Sequence, residues 1–211
     1  AAAIVGNYMN VIVVHKGGGD PVYGNSDDPV RFAVSKLAHI HCCNAMEHAK
    51  NLKQIGEECT KNLDGLVVSL WNVYGVEKDP DSEKNHVISD FIEMAKQGEI
   101  RMLTNGEECR DLLHADDCCE ALYTLSQEYD NVDRGRDLHI YCGKWTKIID
   151  LANLISKYIP CKVTPSTDVD TVQKSMQIKT DDYIKKYWKP KINLEEGIKD
   201  ILEKTQINER I

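Results

Sequence analysis

The stretch 63-LDGLVVSLWNVYG-75 is entered from a turn at Asp64-Gly65 and left at Gly75. Between those breaks Leu66, Val67, Val68 and Leu70 form an apolar run with no polar alternation. A strand with one wet face alternates, whereas one covered on both faces reads as a continuous hydrophobic run. Such strands belong to parallel sheets flanked by helices. A second run of this kind, "VIVVH" at 11–15, is broken by "KGGGDP". Glycine and proline end regular structure there.

Helical patterns lie around these strands. Residues 29–56 hold no Pro or Gly inside and predict one long helix, with apolar spacing at Ala33, Leu37, Ile40 and His41. "HVISDFIEMAKQG" at 86–98 predicts an amphipathic helix stopped by Gly98. Residues 77–85, "EKDPDSEKN", predict a polar loop. "IRMLTNGEECRDLLHADD" at 100–117 predicts a short strand, an Asn-Gly turn and a return strand. "DDCCEALYTLSQEY" at 116–129 predicts a helix with Asp116 or Asp117 as its N-cap. "RDLHIYCG" at 136–143 predicts a strand, and "WTKIIDLANLISKYI" at 145–159 a helix ended by Pro160. Two helical pieces, 178–188 and 193–206, flank a break at Lys189-Pro190. Strands alternating with helices argue for an α/β protein with a mainly parallel sheet.

The chain has 211 residues, 42% hydrophobic and 28% charged, the composition of a globular protein able to bury a core. Its net charge is −8, and no basic stripe interrupts the acidic balance. A nucleic-acid partner is therefore not expected. An anionic ligand needs a local cationic site working against the overall field. Cysteines stand at 42, 43, 59, 109, 118, 119, 142 and 161, without a Cys-x-x-Cys pair or zinc-ligand spacing. They read as reduced, buried thiols of a cytoplasmic protein with no metal site. No long apolar run or charged leader signals a membrane span or secretion, and "AAAIVG" at 1–6 is too short for either.

Several segments in one order resemble the extended short-chain dehydrogenase/reductase family of nucleotide-sugar epimerases and dehydratases. "VYG" at 22–24, "FAVSKLAHI" at 32–40, "LWNVYG" at 70–75 and "RDLLHADD" at 110–117 are among them. "HIYCGKWTKIIDLANLI" and "KKYWKPKINLEEGIKDIL" continue the series to the C-terminal part. Any one motif is weak and their joint order is specific. The resemblance implies a Rossmann-like, mainly parallel sheet with an incomplete N-terminal half, and a smaller mixed α/β substrate-binding lobe. It assigns residues 1–75 to the remainder of the dinucleotide-binding domain. Residues 76–211 then form mainly the substrate lobe, with segments returning to the sheet. It also implies NAD or NADP as cofactor and a nucleotide diphosphate sugar as substrate. Epimerisation or dehydration would proceed by hydride transfer through a keto-sugar intermediate. In the family a helix like 29–56 pairs with a second copy, which implies a homodimer.

The resemblance also assigns residues. Lys36 is the motif lysine that bonds the nicotinamide ribose and lowers the pKa of a tyrosine one turn earlier. Residues four apart share a helix face. That tyrosine, the proton-transfer group, is Phe32 here, which has no hydroxyl. Ala2 and Ala3 match the segment beside the cofactor. Asn72 and Arg110 match the residues that hold the substrate diphosphate, and guanidinium geometry suits phosphate. The plain alternatives are a turn role for Asn72, and for Arg110 a surface pairing with Glu107 or Glu108. Tyr23 is a weaker candidate near the site, while His114 and Asp117 read as structural corner residues. The departures are Phe32, Gly19 where the family has a Ser or Thr, Ser69 where it has an arginine, and the lack of a glycine-rich phosphate loop. Gly17–Gly19 do not supply that loop, because no helix opens after them. If "AAAIVGN" ends a fourth strand, roughly 60–70 residues of preceding βαβ structure belong before Ala1. The stretch between Asn10 and Val11 is also short for its connecting helix. Three roles follow: an active epimerase or dehydratase, a nucleotide-sugar-binding relative without catalysis, or a dimerising subunit.

Overall fold

Leu66–Leu70 forms the strand its unbroken apolar run predicts, with Leu66 and Val68 fully buried. The computed structural model describes residues 14–16, 40–43, 66–76, 86–133, 136, 138–170 and 182–208. In chain order the described elements are β1 (Val14–Lys16), β2 (Ile40–Cys43), β3 (Leu66–Leu70), β4 (Asn72–Tyr74), α1 (Val87–Lys96), β5 (Glu99–Arg101) and β6 (Cys109–His114). They continue with α2 (Ala115–Gln127), β7 (Leu138–Ile140), β8 (Trp145–Lys147), α3 (Ile148–Tyr158), β9 (Lys162–Thr164), a 3-10 turn (Asp182–Lys186) and α4 (Leu194–Asn208). The chain divides into two compact units. One comprises residues 1–71, 118–140 and 180–189, the other 72–117, 141–179 and 190–211.

The first unit carries a four-stranded sheet in the order β1-β2-β3-β7, parallel at every pairing. The expected α/β, mainly parallel architecture is therefore present. Ile40–Cys43 corrects one expectation, because residues 29–56 are not one continuous helix. Freedom from Pro and Gly permits a helix without requiring one. Here the backbone of Ile40–Cys43 is paired with Val14–Lys16 on one side and Leu66–Leu70 on the other. Ladders on both edges outweigh a propensity difference of tenths of a kcal/mol per residue. His41, counted in the apolar spacing of that helix, thus lies in a strand. The helix-pair basis for a dimer is interrupted at the same place. The rest of 29–56 lies outside the described residues.

The predicted strand 66–74 is split at Trp71. Its first part belongs to the parallel sheet, and Asn72–Tyr74 joins the three-stranded β4-β6-β8 sheet of the second unit. There β4 runs parallel to β6 and β8 antiparallel to it. The predicted 100–117 hairpin is likewise corrected. Gly106 turns with φ +77°, but β5 pairs parallel with β9 and β6 pairs with β4 and β8. A local turn brings strand ends near each other, and ladder partners are chosen by burial over the whole unit. The 145–159 segment begins as β8, so α3 starts only at Ile148.

The core of the second unit follows helical spacing. From α1 it takes Ile88, Phe91, Ile92 and Ala95; from α3, Ile148, Leu151, Ala152 and Ile155; from α4, Ile198 and Ile201. Each fully buried aliphatic side chain contributes about 1.5–3 kcal/mol by leaving water. Gly98, at φ +95°, ends α1 as its position predicts. Helix α4 opens on a capping box. Asn193 Oδ1 accepts from the Glu196 N–H, and Glu196 Oε2 accepts from the Asn193 N–H. No described helix is long and apolar enough to cross a membrane. Cys109, Cys118, Cys119, Cys142 and Cys161 are free thiols, and of these only Cys118 is buried, which corrects the expectation of buried thiols for the other four.

The β5–β9 pair is tied by Glu99, which accepts from the Thr164 hydroxyl at 2.7 Å and from Arg101 at 2.8 Å. The Thr164 bond first, then Arg101 and the nearby Lys162, hold this carboxyl at about 2, below its ordinary 4.5. A depressed folded pKa stabilises above the ordinary value, and the contribution is lost as pH falls from about 4.5 to about 2. Wild type is therefore expected to melt above Glu99→Gln at pH 6, the gap closing as pH approaches about 2. A gap that stays constant across that window would overturn the assignment.

Candidate functional site

Asn72 and Arg110 are far apart in sequence, and the parallel pairing of β4 with β6 brings them together. In that register Asn72 lies opposite Leu112, and its Nδ2 donates to the Asp111 carbonyl at 3.2 Å. Both residues line one recess of about 70 Å³, with Tyr74, His86, Ile88 and Leu112 among its walls. That is room for roughly two waters, so the recess seats one small group and not a whole nucleotide.

Arg110 donates from Nη1 to the Cys109 carbonyl at 3.0 Å and from Nη2 to Asp170 Oδ2 at 2.8 Å. Its side chain and that of Asp170 are 20% and 17% exposed. The pairing with Glu107 or Glu108 is not what forms. Glu107 pairs with Lys147 at 2.7 Å, and Glu108 accepts from the Thr104 hydroxyl. The next residue, Asp111, is buried and accepts from the backbone N–H groups of Cys142 and Gly143 at 2.7 and 2.6 Å. Burial pushes its carboxyl up, and those N–H groups act in the opposite direction. Asp111 thereby ties the Arg110 strand to the turn before β8. An acid beside an arginine is the one mark of this anchor in the sequence.

His114 and Asp117 hold the strand-to-helix corner, the structural role expected of them. The ring Nδ1 of His114 accepts from the Asp116 N–H at 3.2 Å. Asp117 accepts from the backbone N–H groups of Lys191 and Ile192 at 3.1 and 2.9 Å. This corrects the helix cap. Asp116 and Asp117 stand in the first turn of α2, and a histidine nitrogen takes the N-terminal N–H. His114, Asp116 and Asp200 form the one ligand-like trio among the described residues, yet the Lys204 ammonium already sits 2.7 Å from Asp200.

Tyr74 runs from the recess wall into the unit's interior. Its hydroxyl is buried and has no hydrogen-bond partner among the described residues. Burial, the largest cause, pushes the phenol well above its ordinary value of 10. The ring packs edge-on against His114, centroids 5.3 Å apart, and faces Gly197 of α4. A Cβ on Gly197 would overlap the Tyr74 hydroxyl oxygen and lie 2.9 Å from its Cζ and 3.0 Å from His114 Cδ2. A mid-helix Gly→Ala change normally gains up to about 1 kcal/mol. Overpacking a filled core costs about 1–3 kcal/mol. Here the ring is backed by His114, so Gly197→Ala is expected to destabilise. The check is a lower urea midpoint at unchanged slope; a raised midpoint contradicts it.

Ala2, Ala3, Gly19, Tyr23, Phe32 and Lys36 lie outside the described residues. The structure therefore brings together Asn72 and Arg110 of the expected site, and adds Asp170, which sequence reading missed. Ser69 is buried in β3.

A model of the NAD dependent epimerase/dehydratase family matches residues 15–141. The GDP-L-fucose synthase of Sinorhizobium fredii is 25% identical over 176 residues, 79% of this chain and 51% of that protein. A putative UDP-glucose 4-epimerase of Methanocaldococcus jannaschii is 29% identical over 210 residues, 94% of this chain and 64% of that protein. The chain thus spans between about half and two thirds of the length of these relatives. The UDP-glucose 4-epimerase structure from Thermotoga maritima, solved with UDP-glucose, has a TM-score of 0.70 at 18% identity, over 98% of this chain and 81% of that one. A dTDP-glucose 4,6-dehydratase from Bacillus anthracis in complex with NAD has a TM-score of 0.64 at 18% identity, over 98% and 65%.

Proposed function

We propose that this chain, which belongs to the NAD dependent epimerase/dehydratase family, binds a nucleotide diphosphate sugar with Arg110 and Asn72 and acts in epimerase, dehydratase or reductase chemistry. The observation that carries the reading is the convergence of Arg110 and Asn72 on one recess. Arg110 offers a guanidinium to a phosphate oxygen, and Asn72 offers an amide from the start of β4. Charge-assisted bonds of this kind are the strong ones. In a chain of net charge −8, a local cation is needed to draw an anion in.

The cofactor of this reading is NAD or NADP, bound beside Ala2 and Ala3, with Lys36 on the nicotinamide ribose. When bound, the nicotinamide would supply hydride transfer at a sugar carbon, with the sugar passing through a keto form. Lys36 positions the ribose. Phe32 stands where the family has its proton-transfer tyrosine, and its ring neither takes nor gives a proton. That residue favours a second reading, a subunit that binds the nucleotide sugar without turning it over.

The test is calorimetric titration of the full chain with UDP-, GDP- and dTDP-sugars, together with absorbance and mass spectrometry for bound nicotinamide. Saturable binding of one of the sugars is expected. No binding of any of them would overturn the proposal. Binding without product formation would select the second reading.

A further inference from the structure

The carboxylate of Asp170 occupies one edge of the group that would grip the substrate. Its Oδ2 is 2.8 Å from Arg110 Nη2, and both side chains are largely shielded from solvent. The segment that carries Asp170 is not loosely placed. The Met102 N–H donates to the Thr164 carbonyl, the Ser166 N–H to the Thr104 carbonyl and the Asn105 N–H to the Asp168 carbonyl, at 3.0, 3.0 and 2.7 Å. A hydroxyl-closed turn between Ser166 and Asp168 follows. Asp170 is thus delivered to Arg110 by backbone pairing two residues away.

A guanidinium has five N–H donors. Among the described residues Arg110 uses one on the Cys109 carbonyl and one on Asp170, which leaves donors for a phosphate oxygen. A phosphate seated there lies beside a carboxylate of the same sign in a partly desolvated place. Like charges so arranged oppose each other strongly.

We propose that Asp170 is an affinity-setting residue, a built-in counter-anion that shares Arg110 with the ligand diphosphate, aims the guanidinium and weakens the anion's hold. The inference rests on the reading that Arg110 takes a diphosphate. Its signature is dependence on ligand charge. Asp170→Asn keeps an acceptor for Nη2 and removes the charge. The variant binds UDP or GDP about tenfold more tightly than wild type, while its affinity for uridine or guanosine stays unchanged. A residue that merely holds the fold would shift nucleotide and nucleoside together.

The experiment is calorimetric titration of wild type, Asp170→Asn and Arg110→Ala with UDP, GDP and the two nucleosides. Asp170→Ser carries the same comparison if Asp170→Asn does not fold. Tighter binding confined to the diphosphates supports the proposal. Equal or weaker diphosphate binding overturns it, as does a gain shared by the nucleosides. If wild type binds and Arg110→Ala does not, while Asp170→Asn shows no gain, the Arg110 reading stands and the Asp170 proposal falls. If neither wild type nor Asp170→Asn binds a diphosphate, the Arg110 reading itself fails and takes the proposal with it.

Discussion

Phe32→Tyr is expected to raise turnover of the nucleotide sugar by about 10²–10⁴-fold, the usual contribution of one placed acid–base group. The substitution adds only a hydroxyl to an aromatic of nearly the same shape. Lys36, four residues later, is the motif lysine that in the family reading lowers the phenol's pKa toward the working pH. A phenol of ordinary pKa near 10 is a poor base at neutral pH, so the lysine matters as much as the hydroxyl. Lys36→Ala in the Phe32→Tyr background should therefore remove the gain. The measurement is single-turnover product formation with NAD or NADP supplied. A Phe32→Tyr protein that binds nucleotide sugar but forms no product would mean that more than the hydroxyl is lacking. The chain would then be a binding subunit.

Arg110→Ala is expected to weaken nucleotide-sugar binding by about 2–5 kcal/mol, the range for truncating one partner of a hydrogen-bonded charge pair in a desolvated place. The loss is roughly 30-fold or more in Kd. Arg110→Lys tests geometry separately from charge. It keeps the cation, loses the planar fork, and should recover part of the affinity. Unchanged calorimetric affinity in Arg110→Ala would remove Arg110 from the site. Because Arg110 also bonds Asp170, the thermal midpoint of the variant must be followed alongside. A fall in affinity at preserved stability assigns the effect to the ligand.

The α/β class was legible from strands such as Leu66–Leu70, because two-sided burial writes itself into a chain as an unbroken apolar run. Helices α1 and α3 were legible through the spacing of their core residues, and the stop of α1 through Gly98. Asn72 and Arg110 were found through a resemblance of ordered motifs. Their shared recess required the β4–β6 register. Where sequence reading went astray, a local signal was overruled by a distant one. Ile40–Cys43 looked helical because nothing nearby forbade it, and pairing with two strands made it extended. The Asn105-Gly106 turn was read as a hairpin, and β5 found its partner at Lys162–Thr164. Asp117 looked like a cap, and its carboxylate instead receives the backbone of Lys191 and Ile192.

The sequence by itself determined the class of fold and the family. Both depend on periodicity, turn residues and the order of short motifs, which act over a few residues and survive without knowledge of contacts. Only the tertiary structure decided which strands share a sheet, that the 66–74 run divides at Trp71, and that Arg110 is met by Asp170, 60 residues away. Ladder bonds and ion pairs of that range arise from the burial and closure of a whole unit, and local preference carries no record of them.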